Sequence, residues 1–263
     1  MVIALTTDRS HPHEGFRSAG VAVLWKTWQE SRSRFLTALA LLVAVVIYAV
    51  VRGQDYLEHF PRQPSLYSSY IWGGLFHYAL QGLWVLAAFI VTLGGLRREK
   101  ATGVVLFTLG LPVARLRLFL IRAAVAAAEA IALALLPALL IPLLSSLIIG
   151  ESYPFSQALA FGALMGVAGI VIVALGLLLS EIFEGEFTAP VVGLCTLSTI
   201  FLSYKAQILS GWNVFDVMSA TAYVDPATKL LKGTVPWPGL AICLLVSFCL
   251  LFAVGLTIRT RDL

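Results

Sequence analysis

In a chain of 263 residues that is 59% hydrophobic and only 12% charged, chemistry has few places to sit. One is Glu129, a carboxylate flanked by alanines within a long apolar stretch. An ionisable group inside a membrane span costs about 2.5–3.5 kcal/mol on insertion scales. Glu129 should therefore face a partner or a wet cavity, as a polar contact between helices or as part of a substrate path. Arg122 shares its helical face, but seven residues of straight helix cover about 10 Å, too far for a direct bond. His11, His13, His59 and His77 have no Cys or Asp at metal-ligand spacing, and Cys195, Cys243 and Cys249 all fall in apolar runs without a CxxC. No metal site is expected from these residues. HExxH and GxSxG are absent. The dipeptide Gly-Lys does not occur, so the chain carries no GxxxxGK[ST] phosphate-binding loop. These absences argue against an enzyme.

The composition dictates what must hold such a carboxylate. Soluble chains carry roughly 25% charged residues, and here several apolar runs of about twenty residues point to a polytopic membrane protein built of helices. The whole chain, 1–263, is expected to form one transmembrane domain. Residues 1–34 would form a polar start and an interfacial helix, 35–257 six spans, and 258–263 a tail. No cleavable leader is expected, since the first thirty residues lack an apolar core. In the interfacial helix Val21, Leu24, Trp25 and Trp28 share one face, with Lys26, Gln29, Glu30 and Ser33 opposite. The six spans are expected over 35–51, 70–93, 118–149, 157–179, 187–203 and 237–257. The third is overlong, about 48 Å against a core of about 30 Å. It must tilt, break near Pro137 and Pro142, or project into water. Gly162, Gly166 and Gly169 in the fourth permit close helix contact. Residues 204–236 are too polar to span and too apolar for a free loop, which suggests short helices dipping into the membrane.

Six spans put both termini on one side. Counting Lys and Arg gives 13 on the side of the termini and 5 on the other, which makes the termini cytoplasmic. The acidic turn with Glu181, Glu184 and Glu186 lies on the cytoplasmic side and weighs little in that rule. The net charge of +4 then reads as topology, not as nucleic-acid affinity.

Six of the eighteen Lys and Arg lie between residues 96 and 122: Arg97, Arg98, Lys100, Arg115, Arg117 and Arg122. Read as a helix from Glu99, this segment places Thr102, Val105, Leu106 and Leu109 on one face, and Gly110 and Pro112 end it. The same cations would also suit a loop that only fixes topology. The pattern of Glu99, Gly103, Leu106, Phe107, Leu109, Pro112, Val113 and Arg115 resembles the first cytoplasmic loop of the type-2 ATP-binding-cassette (ABC) permease family. The closing Arg259-Thr260-Arg261-Asp262-Leu263 also resembles that family's tail. The resemblance implies an all-α integral membrane protein of six transmembrane helices, preceded by an amphipathic elbow helix, with a cytoplasmic coupling helix between spans 2 and 3. It implies a permease subunit, more often of an exporter, that contacts its ATPase through Glu99, Gly103, Leu106, Phe107, Leu109, Pro112 and Arg115. Two copies of a separate ATPase would bind ATP and Mg, and a second permease chain, identical or closely related, would complete a dimer in the bacterial cytoplasmic membrane. Neither a cofactor in this chain nor a nucleic-acid partner is implied. A proton-coupled secondary transporter using Glu129 is the alternative.

Overall fold

The computed structural model describes residues 12–59, 66–93, 115–183, 188–206 and 213–260. Among them the chain is helical throughout, apart from turns and one isolated antiparallel bridge between Val224 and Leu231. The first helix, α1, runs without interruption over Pro12–His59, 48 residues, or about 72 Å. The sequence predicted a separate interfacial helix, a first span and then a loop from residue 52. No glycine or proline lies between Val21 and Arg52 to stop the helix, so the change from amphipathic to apolar occurs within one rod. Val21, Leu24 and Trp25 on its early apolar face are exposed, as a face meeting lipid would be. Trp28 turns inward and packs 5.5 Å from the Phe35 ring.

Helix α2 occupies Leu66–Thr92 and is wound as a π-helix over Ile71–Ala79. Helix α3 covers Arg115–Leu144 and continues as a π turn, Ser145–Ile149, to Gly150 at φ 75°. That left-handed conformation suits glycine and ends the helix. Pro137 and Pro142 lie inside α3 without breaking it. Of the ways to fit an overlong third helix in a bilayer, a break is not the one taken. Helix α4, Phe155–Ile182, is jointed at Gly169. Helix α5 is Thr188–Lys205, α6 is the short Val214–Ser219, and α7 is Trp237–Thr260. Five of these helices (α1, α2, α3, α4 and α7) are long and apolar enough to cross a membrane. The fifth expected span, α5, forms a helix close to its predicted bounds but is not among those five, because Thr, Ser and Lys residues dilute its apolar run. The molecule is thus an all-helical, multi-pass membrane protein.

The core forms where α3 meets α4. Ala126, Ala130, Ala134 and Ala138 recur every fourth residue on α3 and are buried. This flat ridge lets α4 approach through its glycines. A Cβ at Gly162 would stand 2.9 Å from the Ala138 Cβ, one at Gly166 would lie 3.3 Å from the Ile131 Cα, and one at Gly169 would overlap the Trp84 ring. Trp84 in turn donates its indole N–H to the Ala130 carbonyl at 2.9 Å, which joins α2 to the same ridge. Large apolar side chains such as Leu41, Leu136, Leu245 and Phe252 point outward, as they must where the solvent is hydrocarbon. Replacing Gly162 by Leu is expected to lower stability by about 1–3 kcal/mol through overpacking. Gly82, with nothing near its missing Cβ, should tolerate Ala. Thermal unfolding of the two purified variants checks the contrast.

Candidate functional site

At the end of the bundle where α2 stops and α3 starts, a cleft opens between four helices. Helix α1 contributes Thr27, Glu30, Ser31 and Arg34, α2 its last turn with Thr92, α3 the residues from Phe119 to Glu129, and α4 Leu177 and Glu181. Its volume is about 50 Å³, several times the roughly 10–15 Å³ that one water needs. Among the described residues five ionisable groups line it: Glu30, Arg34, Arg122, Glu129 and Glu181.

Glu129 lies at its depth and is 4% exposed. The sequence required a partner for it, and the structure supplies one from 98 residues away: the Ser31 hydroxyl donates to Glu129 Oε1. The other oxygen, Oε2, is buried and has no hydrogen-bond partner among the described residues. Arg122 lines the same cleft, on the shared helical face expected of residues seven apart. Three residues beyond Ser31, the Arg34 guanidinium donates to the Leu93 carbonyl and, at 3.4 Å, to that of Ile90. These carbonyls belong to the last turn of α2, where the Ile90 carbonyl also accepts the Leu93 N–H at 3.2 Å and a cation is favoured. One turn of α1 therefore holds both helices that flank residues 94–114, α2 through Arg34 and α3 through Ser31. Neither Ser31 nor Arg34 stood out in the sequence, where Arg34 counted only toward topology. An arginine at the foot of an apolar run was the available signal.

The candidate coupling residues Glu99, Gly103, Leu106, Phe107, Leu109 and Pro112 lie outside the described residues. Arg115 is the first residue of α3.

A second polar cluster ties the middle of α2 to α5 and α6. Asn213 caps α6, accepting the Phe215 N–H at 3.1 Å. His77, on the π segment of α2, bonds Ser219 through Nδ1 at 3.2 Å and Tyr204 through Nε2 at 2.9 Å. The Ser219 hydroxyl donates to the Phe215 carbonyl, so His77 Nδ1–H donates to Ser219 while Nε2 accepts from Tyr204. Gln81 donates to the Phe215 carbonyl at 2.7 Å and Trp72 to that of Ser219 at 3.1 Å. The histidine for which the sequence offered no metal partner is thus a structural strut between α2, α5 and α6. Beyond α6, Asp225 accepts the Ala227 N–H at 2.8 Å, and this backbone donor holds its carboxyl below the usual carboxylate range. The short helices expected within 204–236 are thus present at Val214–Ser219 and Thr221–Tyr223. Among the described residues no group of three His, Cys, Asp or Glu is placed to hold a metal ion.

Comparison with protein-family models and with curated proteins returns no match for this chain.

If Arg34 caps α2, Arg34→Ala should fray that helix end at a cost of about 1–2 kcal/mol. Amide hydrogen exchange, followed by mass spectrometry, should then quicken over residues 89–93 and stay unchanged in the middle of α3. Unaltered exchange over 89–93 would show that the guanidinium contributes nothing there.

Proposed function

We propose that the chain is the membrane-spanning subunit of a type-2 ABC transporter, working as an exporter, paired with a second permease chain and driven by two copies of a separate ATPase. The observation that carries this reading is the double attachment of α1 beside the cleft, Arg34 to the end of α2 and Ser31 to Glu129 on α3. A force applied to residues 94–114 reaches both flanking helices, and this attachment would pass it on to the longest helix of the molecule. The resemblance of Glu99, Gly103, Leu106, Phe107, Leu109, Pro112 and Arg115 to the family's coupling segment names the place where such a force would enter. In this reading α5 is the fifth of six membrane segments. Its exposed face mixes Cys195, Ser198 and Thr199 with Val191, Leu194 and Leu202, which suits a segment that meets lipid along part of its surface. Both termini and residues 94–114 would face the cytoplasm of a bacterial cell.

Proton-coupled secondary transport through Glu129 is the second reading, favoured by the open oxygen of that carboxylate. It requires access from both sides in turn. The cleft beside Glu129 is built from one end of the bundle, which favours the first reading.

Purification of the tagged chain from native membranes should bring down an ABC ATPase. Phe107→Asp should insert normally yet lose that ATPase or its coupling, because an unpaired carboxylate in a dry apolar contact costs several kcal/mol. Retained complex and ATP-driven transport in this variant would refute the coupling role. Transport driven by a proton gradient without ATP would instead establish the second reading. Single cysteines at Gln63 and Thr228 should react with an impermeant thiol reagent in intact cells, and one at Thr108 should not. The reverse pattern would invert the topology.

A further inference from the structure

The cleft holds an ionisable carboxyl whose two oxygens are treated differently. Oε1 of Glu129 is held by the Ser31 hydroxyl, while Oε2 has no partner among the described residues. A fully satisfied carboxylate would read as a structural contact alone. A buried one with an open oxygen, beside space for several waters, has somewhere to receive a proton and a medium to bring it. The route to bulk water is marked by Glu30, which lines the same cleft and is exposed.

We propose that Glu129 is a proton-binding site filled from the water of this cleft, and that its occupancy sets how firmly α1 is held to α3. The exchange balances without any other reactant. A hydronium ion gives its proton to Oε2, leaving water and a neutral carboxylic acid, and release is the reverse. Among the described residues the charged groups lining the cleft are Glu30 and Arg34 from α1, Arg122 from α3 itself and Glu181 from α4, while α2 presents Val91 and Thr92. Of these charges it is Arg34 that acts on Glu129, and it stays charged in both states, so the Ser31 hydrogen bond is the contact that most directly distinguishes them. A hydroxyl donates more strongly to a carboxylate than to a neutral acid. Proton uptake therefore loosens the Ser31 contact, and by reciprocity the contact opposes proton uptake by the same factor. This inference rests on the cleft alone and is independent of the ABC reading, whereas its failure would also remove the proton-coupled one.

Infrared titration of the full-length chain in lipid nanodiscs tests it without any transport assay. The protein should show a carboxylic C=O band that grows as pH falls, shifts in D₂O and is absent from Glu129→Gln. In Ser31→Ala, which keeps the carboxyl, the band should remain, with its midpoint moved toward higher pH by about one unit, a tenfold gain in proton affinity. A midpoint unchanged in Ser31→Ala would overturn the coupling between occupancy and the helix contact. A band insensitive to D₂O, or one that persists in Glu129→Gln, would overturn the site itself. Loss of the band at fixed pH when sodium replaces choline would assign the site to a metal cation instead of a proton.

Discussion

Everything in this bundle depends on how closely α3 and α4 approach. In hydrocarbon there is no hydrophobic drive between helices, so association relies on contact and on interhelical hydrogen bonds. The alanine ridge Ala126, Ala130, Ala134 and Ala138 meets Gly162 and Gly166 across that seam, and dispersion attraction grows with such proximity. The seam also positions the groups around it. Trp84 is wedged over Gly169 and anchored on Ala130, which draws α2 into place. With α2 and α3 set, their neighbouring ends define the cleft, and Glu129 is presented to α1 from the same helix that supplies the alanines.

Polar contacts then finish what packing begins, in two sets. At the cleft, Ser31 and Arg34 fasten α1 to α3 and α2. Away from the cleft, along α2, His77, Gln81 and Trp72 fasten the short helix α6, while Tyr204 brings in the end of α5. Such bonds gain weight where water is scarce, since an unmet buried donor or acceptor costs about 1–3 kcal/mol.

The helices themselves were legible because a bilayer demands long apolar runs, and the glycines of α4 were legible because small residues there have few other uses. Helix ends were less so. The passage from the amphipathic residues 21–34 to the apolar run after them is a change of solvent, not of backbone preference, and nothing at Arg32–Phe35 tells a helix to stop. Pro137 and Pro142 were a warning of a break that α3 absorbs. The need of Glu129 for a partner could be read from its cost, but the identity of that partner could not, because Ser31 is one of many serines and lies 98 residues away. The same holds for His77, whose partners are 127 and 142 residues distant. The segment most legible by resemblance, residues 99–115, lies almost wholly outside the described residues.

The unbroken length of α1 has a mechanical meaning. Ser31 and Arg34 hold it close to the midpoint of Pro12–His59, and Leu42, Val46 and Val50 in the core, with the Tyr70 hydroxyl on the Ala49 carbonyl, hold its second half, so the helix is a lever gripped along that half. With no glycine or proline joint between Val21 and Arg52, a tilt cannot be absorbed along that stretch. A rotation of about 5° of the gripped half would carry the start of the helix, about 28 Å before Ser31, through about 2–3 Å, given a rise of 1.5 Å per residue. A small tilt within the membrane is thus read out as a larger swing at the start of the rod.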